Sequence, residues 1–314
     1  MNILVTGGLG YKGVRLVPFL LEKGHDVCVI DLNWFRCSLS PHPRLKLIEA
    51  DFAGVTRRQL EGIELVIHLA SVANDPSGDL DPKLTWETNV LGLDLLCSAM
   101  ASAQVPRLIF ASSGSVYGVS TLERVTENAP LMPISDYNKT KMIGERVVES
   151  YADRINVQIV RPATVCGVSA RQRLDVVVNL LVFQAVTTGR IRVLGGAQTR
   201  PNIHIEDMIR VYDFLIVNEE LGGVFNAGFE NLTVLEIAAM VAERTNTSIE
   251  VEESNDPRSY NLDSTRLLSS GFVPRKGVVN AIEELALKFN NPEFTASIFN
   301  YNVKTMQETL TFPR

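Results

Sequence analysis

Short apolar runs alternate with longer amphipathic stretches along the first half of the chain. Residues 2–6, 27–30, 45–50, 65–69, 107–110 and 157–160 are predominantly apolar, and each reads as a strand. Helical patterns separate them. Residues 12–23 place Leu16, Val17, Phe19, Leu20 and Leu21 on one stripe and end at Gly24. Residues 82–103 and 136–151 read as two further helices. Strands that are apolar almost throughout, rather than at alternate positions, are buried on both faces. Strands of that kind alternating with helices predict a doubly wound, parallel α/β sheet.

The rhythm changes after Arg161-Pro162. Strands become sparse, and arginines gather at 171, 173, 190, 192 and 200. Residues 224–227 read as a late strand returning to the main sheet. Residues 233–243 form an amphipathic helix, with Thr233 as its N-cap and Glu236 as the capping-box partner. Residues 249–252 make a short strand, and 291–314 carry no clear signal and read as a loosely held tail. The resulting partition is a first domain over 1–165, to which 200–228 return, and a smaller C-terminal α/β substrate domain over 166–199 and 229–290.

Composition narrows the class. The 314 residues include 46% hydrophobic and 21% charged side chains, ordinary for a globular protein. Thirty basic and 36 acidic groups give a formal charge of −6, which argues against a nucleic-acid binder. No apolar run approaches the ~20 residues of a membrane span, and the chain enters a strand at once, without a leader. Cys28, Cys37, Cys97 and Cys166 lack metal-ligand or disulfide spacing and read as reduced thiols, so a cytoplasmic protein without a metal is expected.

The first strand runs into Thr6-Gly7-Gly8-Leu9-Gly10-Tyr11-Lys12-Gly13. Gly7 allows a tight turn, Gly10 lets a pyrophosphate approach the backbone, and Gly13 lets helix pack on strand. Amides at the helix N-terminus then face phosphates. Spaced G-x-x-G-x-x-G between a strand and a helix, it reads as a dinucleotide-binding turn of a Rossmann-type fold, with a plain structural turn as the alternative. Asp31 ends the second strand, near the ~20-residue offset at which a carboxylate meets a ribose 2′-hydroxyl. Leu32-Asn33-Trp34 follow without an arginine for a 2′-phosphate, so NAD is expected over NADP. A helix cap or a solvated acid is the plainer reading of Asp31.

Tyr137 and Lys141 are four apart, on one face of a helix. An ammonium beside a phenol favours the phenolate, and a tyrosine tuned so serves as general acid or base. Ser113, after the fifth strand, is placed to orient a substrate hydroxyl with Tyr137, and Asn89 to complete the hydrogen-bond network.

These motifs, with Asp51-Phe52, His68-Leu69-Ala70-Ser71, Asn89-Val90-Leu91-Gly92, Ser112-Ser113-Gly114-Ser115-Val116-Tyr117-Gly118, Arg161-Pro162-Ala163-Thr164-Val165 and His204-Ile205-Glu206-Asp207, run in order over about residues 1–275. Together they resemble the extended short-chain dehydrogenase/reductases of the NAD-dependent epimerase/dehydratase family, which act on nucleotide sugars. The resemblance implies that Gly7, Gly10, Tyr11, Lys12, Gly13 and Asp31 hold NAD. Asp51 and Phe52 would approach the adenine, and Leu69, Ala70, Ser71, Asn89, Ala111, Ser112 and Pro162 would line its path. Lys141 would grip the nicotinamide ribose, with Tyr137 as acid/base and Ser113 its partner. Ser115 and Thr164 would touch the substrate, and Asn179, Arg200 and Arg258 its diphosphate. Arginine forks suit a diphosphate, although Arg171, Arg190 and Arg192 read as surface residues. A homodimer through the helices at 85–103 and 137–151 is implied as well. Lys12, Pro201 and Cys166 depart from the family pattern, the first in the glycine loop, the others near the sugar.

Dehydratases of the family carry an Asp-Glu pair where this chain has Gly114-Ser115, and its reductases often prefer NADPH, which Asp31 opposes. The resemblance therefore implies epimerisation of a nucleotide-diphosphate sugar, at C4, by transient oxidation. A reductase, dehydrogenase or decarboxylase on the same scaffold, or a dinucleotide-binding regulator without activity, remain as alternatives.

Overall fold

The computed structural model describes residues 1–120, 122–253 and 259–311. Strands β1 (Asn2–Thr6), β2 (Asp26–Asp31), β3 (Leu45–Glu49), β4 (Leu65–His68), β5 (Arg107–Ala111) and β6 (Asn156–Pro162) are all parallel, and β7 (Thr164–Cys166) follows at once. Then come β8 (Arg190–Leu194), β9 (Thr199–His204), β10 (Gly223–Ala227), β11 (Glu230–Thr233) and β12 (Ser248–Glu252). The main sheet has the order β10-β6-β5-β4-β1-β2-β3, with β10 parallel to β6 as expected of a late returning strand. Chain order reverses between β1 and β4, the crevice where doubly wound sheets take their ligands.

Both faces of the sheet are covered, which explains the continuous apolar strands. Leu16, Val17 and Leu20 of helix Gly13–Glu22 pack with Met208, Ile209 and Tyr212 of helix Ile205–Val217 on one face. Leu93, Leu96, Cys97 and Met100 of helix Leu93–Ala103 cover the other. A separate core, with Val178, Leu181, Ile237, Val241, Ile282 and Leu285, builds the second lobe around helices Val177–Thr188, Val234–Thr245 and Val278–Asn290. That lobe carries a three-stranded sheet, β11-β9-β7, and a parallel pair, β12-β8. The Thr233 capping box is present, with Thr233 N donating to Glu236 Oε2 at 2.7 Å and Glu236 N to Thr233 Oγ1 at 3.1 Å.

Two segments differ from the sequence reading. The helix expected over 82–103 runs as Pro82–Trp86, a π-helical stretch Glu87–Gly92 and Leu93–Ala103, and a short helix that was not expected, Asp75–Leu80, precedes it across a break at Asp81. Asp81 causes that break by leaving helical geometry and capping the next helix, its Oδ1 accepting from Leu84 N at 2.9 Å. The segment read as a loose tail contains helix Asn302–Thr311, and Asn302, Thr305 and Met306 are buried. Asn302 Nδ2 donates to Ala73 O at 3.0 Å and its amide to Asp175 Oδ2 at 2.9 Å, which docks the helix across the lobes.

Candidate active site

A cleft of about 1100 Å³ opens between the C-terminal edge of the main sheet and the second lobe. The glycine loop forms its floor. Gly7 has φ +73°, and a Cβ there would stand 2.6 Å from Ala70 N; one at Gly13 would stand 2.5 Å from Gly7 O. Side chains at either position would push the loop away from β4 and from itself, so the floor requires glycine. Asp31 Oδ2 accepts from Leu9 N at 2.9 Å and Oδ1 from Asn33 N at 2.7 Å. Burial pushes its carboxyl up while those two amides hold it down. It is neither a helix cap nor a solvated acid. It ties the glycine loop to the end of β2 and stands on the cleft wall. A glycine cradle beside a carboxylate on the cleft wall fits the adenosine half of NAD.

Helix Asp136–Glu149 brings in Tyr137 and Lys141. Ser135 caps it, accepting from Asn138 N at 3.1 Å and donating to Asp75 Oδ1 at 2.5 Å. Tyr137 is half-buried and hydrogen-bonded to Ser113, whose Oγ lies 2.7 Å from Ser115 Oγ. Burial pushes the Tyr137 phenol up to about 12, with the Ser113 bond opposing the rise. The phenol expected to be lowered by Lys141 is therefore raised. Burial dominates, and Lys141 does not oppose it, since its Nζ donates to Ala111 O at 2.9 Å. Burial, aided by the charge of Lys12, lowers Lys141 to about 7.

Below these groups lies a buried ion pair. Arg161 Nη2 meets Glu145 Oε2 at 2.6 Å, and Ser112 Oγ donates to Glu145 Oε1 at 2.5 Å. Arg161 Nη1 also donates to Tyr117 Oη at 2.7 Å. The network clamps the helix of Tyr137 and Lys141 to β5 and β6, which fixes both side chains against the cleft.

The NAD dependent epimerase/dehydratase family model matches residues 3–228. The chain belongs to this family. UDP-glucose 4-epimerase of Lactobacillus helveticus is 28% identical over 92% of this chain and 97% of its own. UDP-glucuronic acid decarboxylase 3 of Arabidopsis thaliana is 28% identical over 93% and 91%. The structure of MoeE5 in complex with UDP-glucose and NAD is 28% identical, superposes with a TM-score of 0.81, and covers 91% of this chain and 98% of that one. The family is NAD-dependent, in keeping with the cofactor expected from Asp31.

Most family positions named from the sequence reach the cleft. Gly7, Gly10, Tyr11, Lys12, Gly13, Asp31, Asp51, Phe52, Leu69, Ala70 and Ser71 line its dinucleotide side. Ala111, Ser112, Ser113, Ser115, Tyr137, Lys141, Pro162, Thr164 and Arg200 line the rest. Lys12, the departure in the glycine loop, is half-buried there and lowered to about 8 by desolvation, its Nζ 3.4 Å from Tyr212 Oη.

Two expected residues do not reach it. Asn89 is 3% exposed; its Oδ1 accepts from Val72 N at 2.9 Å, and its Nδ2 donates to Val72 O and Thr140 Oγ1, each at 3.0 Å. These three bonds join the loop after β4 to the Tyr137 helix, which makes it a positioning residue. Asn179 is fully buried and is likewise absent from the cleft wall. Its Oδ1 accepts from Gly167 N at 3.1 Å, and its Nδ2 donates to Tyr11 Oη and Arg173 O. It braces the second lobe against the glycine loop. Arg258 lies outside the described residues.

Other cleft groups were not singled out from the sequence. Arg173 is half-buried and pairs with Asp175 at 2.8 Å, and both line the cleft. Arg171, read as a surface residue, is 4% exposed. Tyr301, Asn302 and Met306 come from the C-terminal segment. An arginine cluster in a net-acidic chain was the available signal for the first two. Nothing in the local sequence marks Asn302. Arg190 is exposed and paired with Glu250, as a surface residue is, whereas Arg192, paired with Glu252, also lines the cleft.

Proposed function

We propose that the protein is an NAD-dependent epimerase of a nucleotide-diphosphate sugar, acting at C4. One observation carries this choice within the family. The cleft presents the Ser113–Tyr137 pair beside Lys141, while Gly114 and Ser115 offer no carboxylate to drive loss of water. Asp75 and Asp175 also line the cleft, but Ser135 and Arg173 occupy them. The similarity to UDP-glucose 4-epimerase of Lactobacillus helveticus over nearly the whole chain supports the same reading.

NAD, when bound, supplies the hydride acceptor for the sugar carbon, the donor for its return, and a positive ring charge. Tyr137 takes the proton of the sugar hydroxyl and later gives it back, a role that requires its phenol to shed the proton that burial retains. Ser113 holds the same hydroxyl in line, relayed to Ser115. Lys141 is held at the cofactor side by Ala111. Arg200, on the cleft wall, faces the substrate diphosphate.

A homodimer is part of the proposal. Leu91 and Leu95 are 55% and 46% exposed, and Trp86 stands beside them near Val147. Light scattering on the purified protein tests it. The free thiols suit the cytoplasm.

The deciding experiment incubates the protein with a panel of nucleotide sugars and follows them by mass spectrometry and proton NMR. Interconversion at constant mass without net NADH supports the proposal. Loss of water or carbon dioxide, or stoichiometric NADH, assigns another activity on this scaffold.

A further inference from the structure

The loop at 167–175 is bound directly to the glycine loop. Tyr11 Oη donates to Gly167 O at 2.7 Å, and Ser169 Oγ donates to Tyr11 O at 2.9 Å. Arg171 rides on this loop. Its guanidinium lies 3.6 Å from the centre of the Phe35 ring, in the segment that follows Asp31. Nη2 donates to Asn302 Oδ1 at 2.5 Å. Nε is buried and has no partner among the described residues. Arg173 takes the nearby carboxylate of Asp175.

Such an arginine is costly. Burial, with the charge of Arg173 beside it, lowers its proton affinity to about 9. A planar cation held at a cleft wall, stacked from one side and short of a hydrogen-bond acceptor, is built to receive an anion. Its place says which one. Tyr11 of the glycine loop and Cys37 beyond Asp31 are the groups, besides Arg173 and Asp175, that feel its charge. Cys37 in turn feels Asp31. These belong to the dinucleotide end of the cleft, whereas Ser113 and Tyr137 mark the sugar end.

We propose that Arg171 binds the cofactor, closing on the diphosphate of NAD from the second lobe, with Phe35 and Asn302 holding its guanidinium in place. The proposal rests on the reading of the cleft as an NAD site. It also gives the C-terminal helix a function, since Asn302 links that helix to the bound cofactor through Arg171.

Titration calorimetry on the full-length protein, freed of nucleotide by charcoal, tests this with ADP-ribose, adenosine and UDP. Arg171→Met should weaken ADP-ribose binding about tenfold or more, the loss expected of a charge-assisted hydrogen bond. Adenosine and UDP should stay within about twofold, because neither presents the cofactor's diphosphate at Arg171. Arg171→Lys should fall between, keeping charge without the fork. ADP-ribose binding within about twofold of the parent overturns the proposal, and a matching loss for UDP reassigns Arg171 to the substrate diphosphate. Parent protein that binds no ADP-ribose overturns the NAD reading itself. Should Arg171→Met fail to fold, Asn302→Ala leaves the charge and frees the arm. It should weaken ADP-ribose binding about threefold and speed NAD release, and unchanged values for both overturn the proposal.

Discussion

Lys141 Nζ donates to Ala111 O at 2.9 Å, one helical turn from Tyr137 but directed to the strand behind it. The ammonium is thus anchored by backbone and starved of water. The folded protein holds this lysine at about 7, against 10.5 ordinarily. Between those values the unfolded chain binds the extra proton, so stability rises with pH across the window. Lys12, lowered to about 8, acts in the same direction. Lys141→Met should raise the melting temperature most at about pH 6 and little near pH 10, while turnover falls by roughly 10²-fold or more. Calorimetric melts at several pH values check the sign. A uniform gain would refute the linkage.

Tyr137→Phe should fold normally and lose about 10³-fold in kcat, because it removes the transferred proton and leaves the packing. The parent's rate should rise with pH through the assay range, since burial holds the phenol up at about 12 in the free protein. Turnover within tenfold of the parent would falsify the mechanism.

Glu145→Gln leaves Arg161 buried with half a partner and deprives Ser112 of its anionic acceptor. A cost of about 3–5 kcal/mol is expected, read as a drop in the urea midpoint. Exchanging both members, Glu145→Met with Arg161→Met, should cost less than the single change. If the double variant is the worse, the pair is a net stabiliser rather than a demanding constraint.

His68 is neutral by burial, its ring edge-on to Phe52 at 4.8 Å and its Nδ1 2.8 Å from Thr6 Oγ1. Burial lowers it to about 3 from 6.5. As pH falls through 6.5 the unfolded chain takes a proton that the folded one refuses, so stability declines steadily toward about pH 3. His68→Asn should flatten that acid limb while lowering stability at neutral pH. An unchanged slope in denaturant titrations would place the acid sensitivity elsewhere.

Asn89→Leu should lower both the melting temperature and kcat without a direct effect on NAD affinity. Its three hydrogen bonds join the Val72 loop to the Tyr137 helix, and leaving the buried Val72 and Thr140 groups unpaired costs about 1–3 kcal/mol each at most. A selective loss of NAD binding would instead restore Asn89 to the cofactor site.

The readable parts of the sequence were those with local causes. Gly7 is required because its φ is positive and β4 runs close behind it, and the glycine spacing declares that turn directly. Thr233 and Glu236 meet because three residues separate them. The π-helical stretch at Glu87–Gly92 was missed because its apolar pattern still fits an ordinary helix, so periodicity carries no sign of the extra residue.

Sequence alone determined the parallel sheet and the glycine floor and marked Ser113, Tyr137 and Lys141 as candidates, because burial on both faces, positive φ and one-turn spacing leave their mark within a few residues. Tertiary structure decided which polar groups face the cleft. Asn89 and Asn179 were drawn into struts, and Arg171 was turned inward onto Phe35 and Asn302, since a side chain's partners depend on loops brought together from distant parts of the chain.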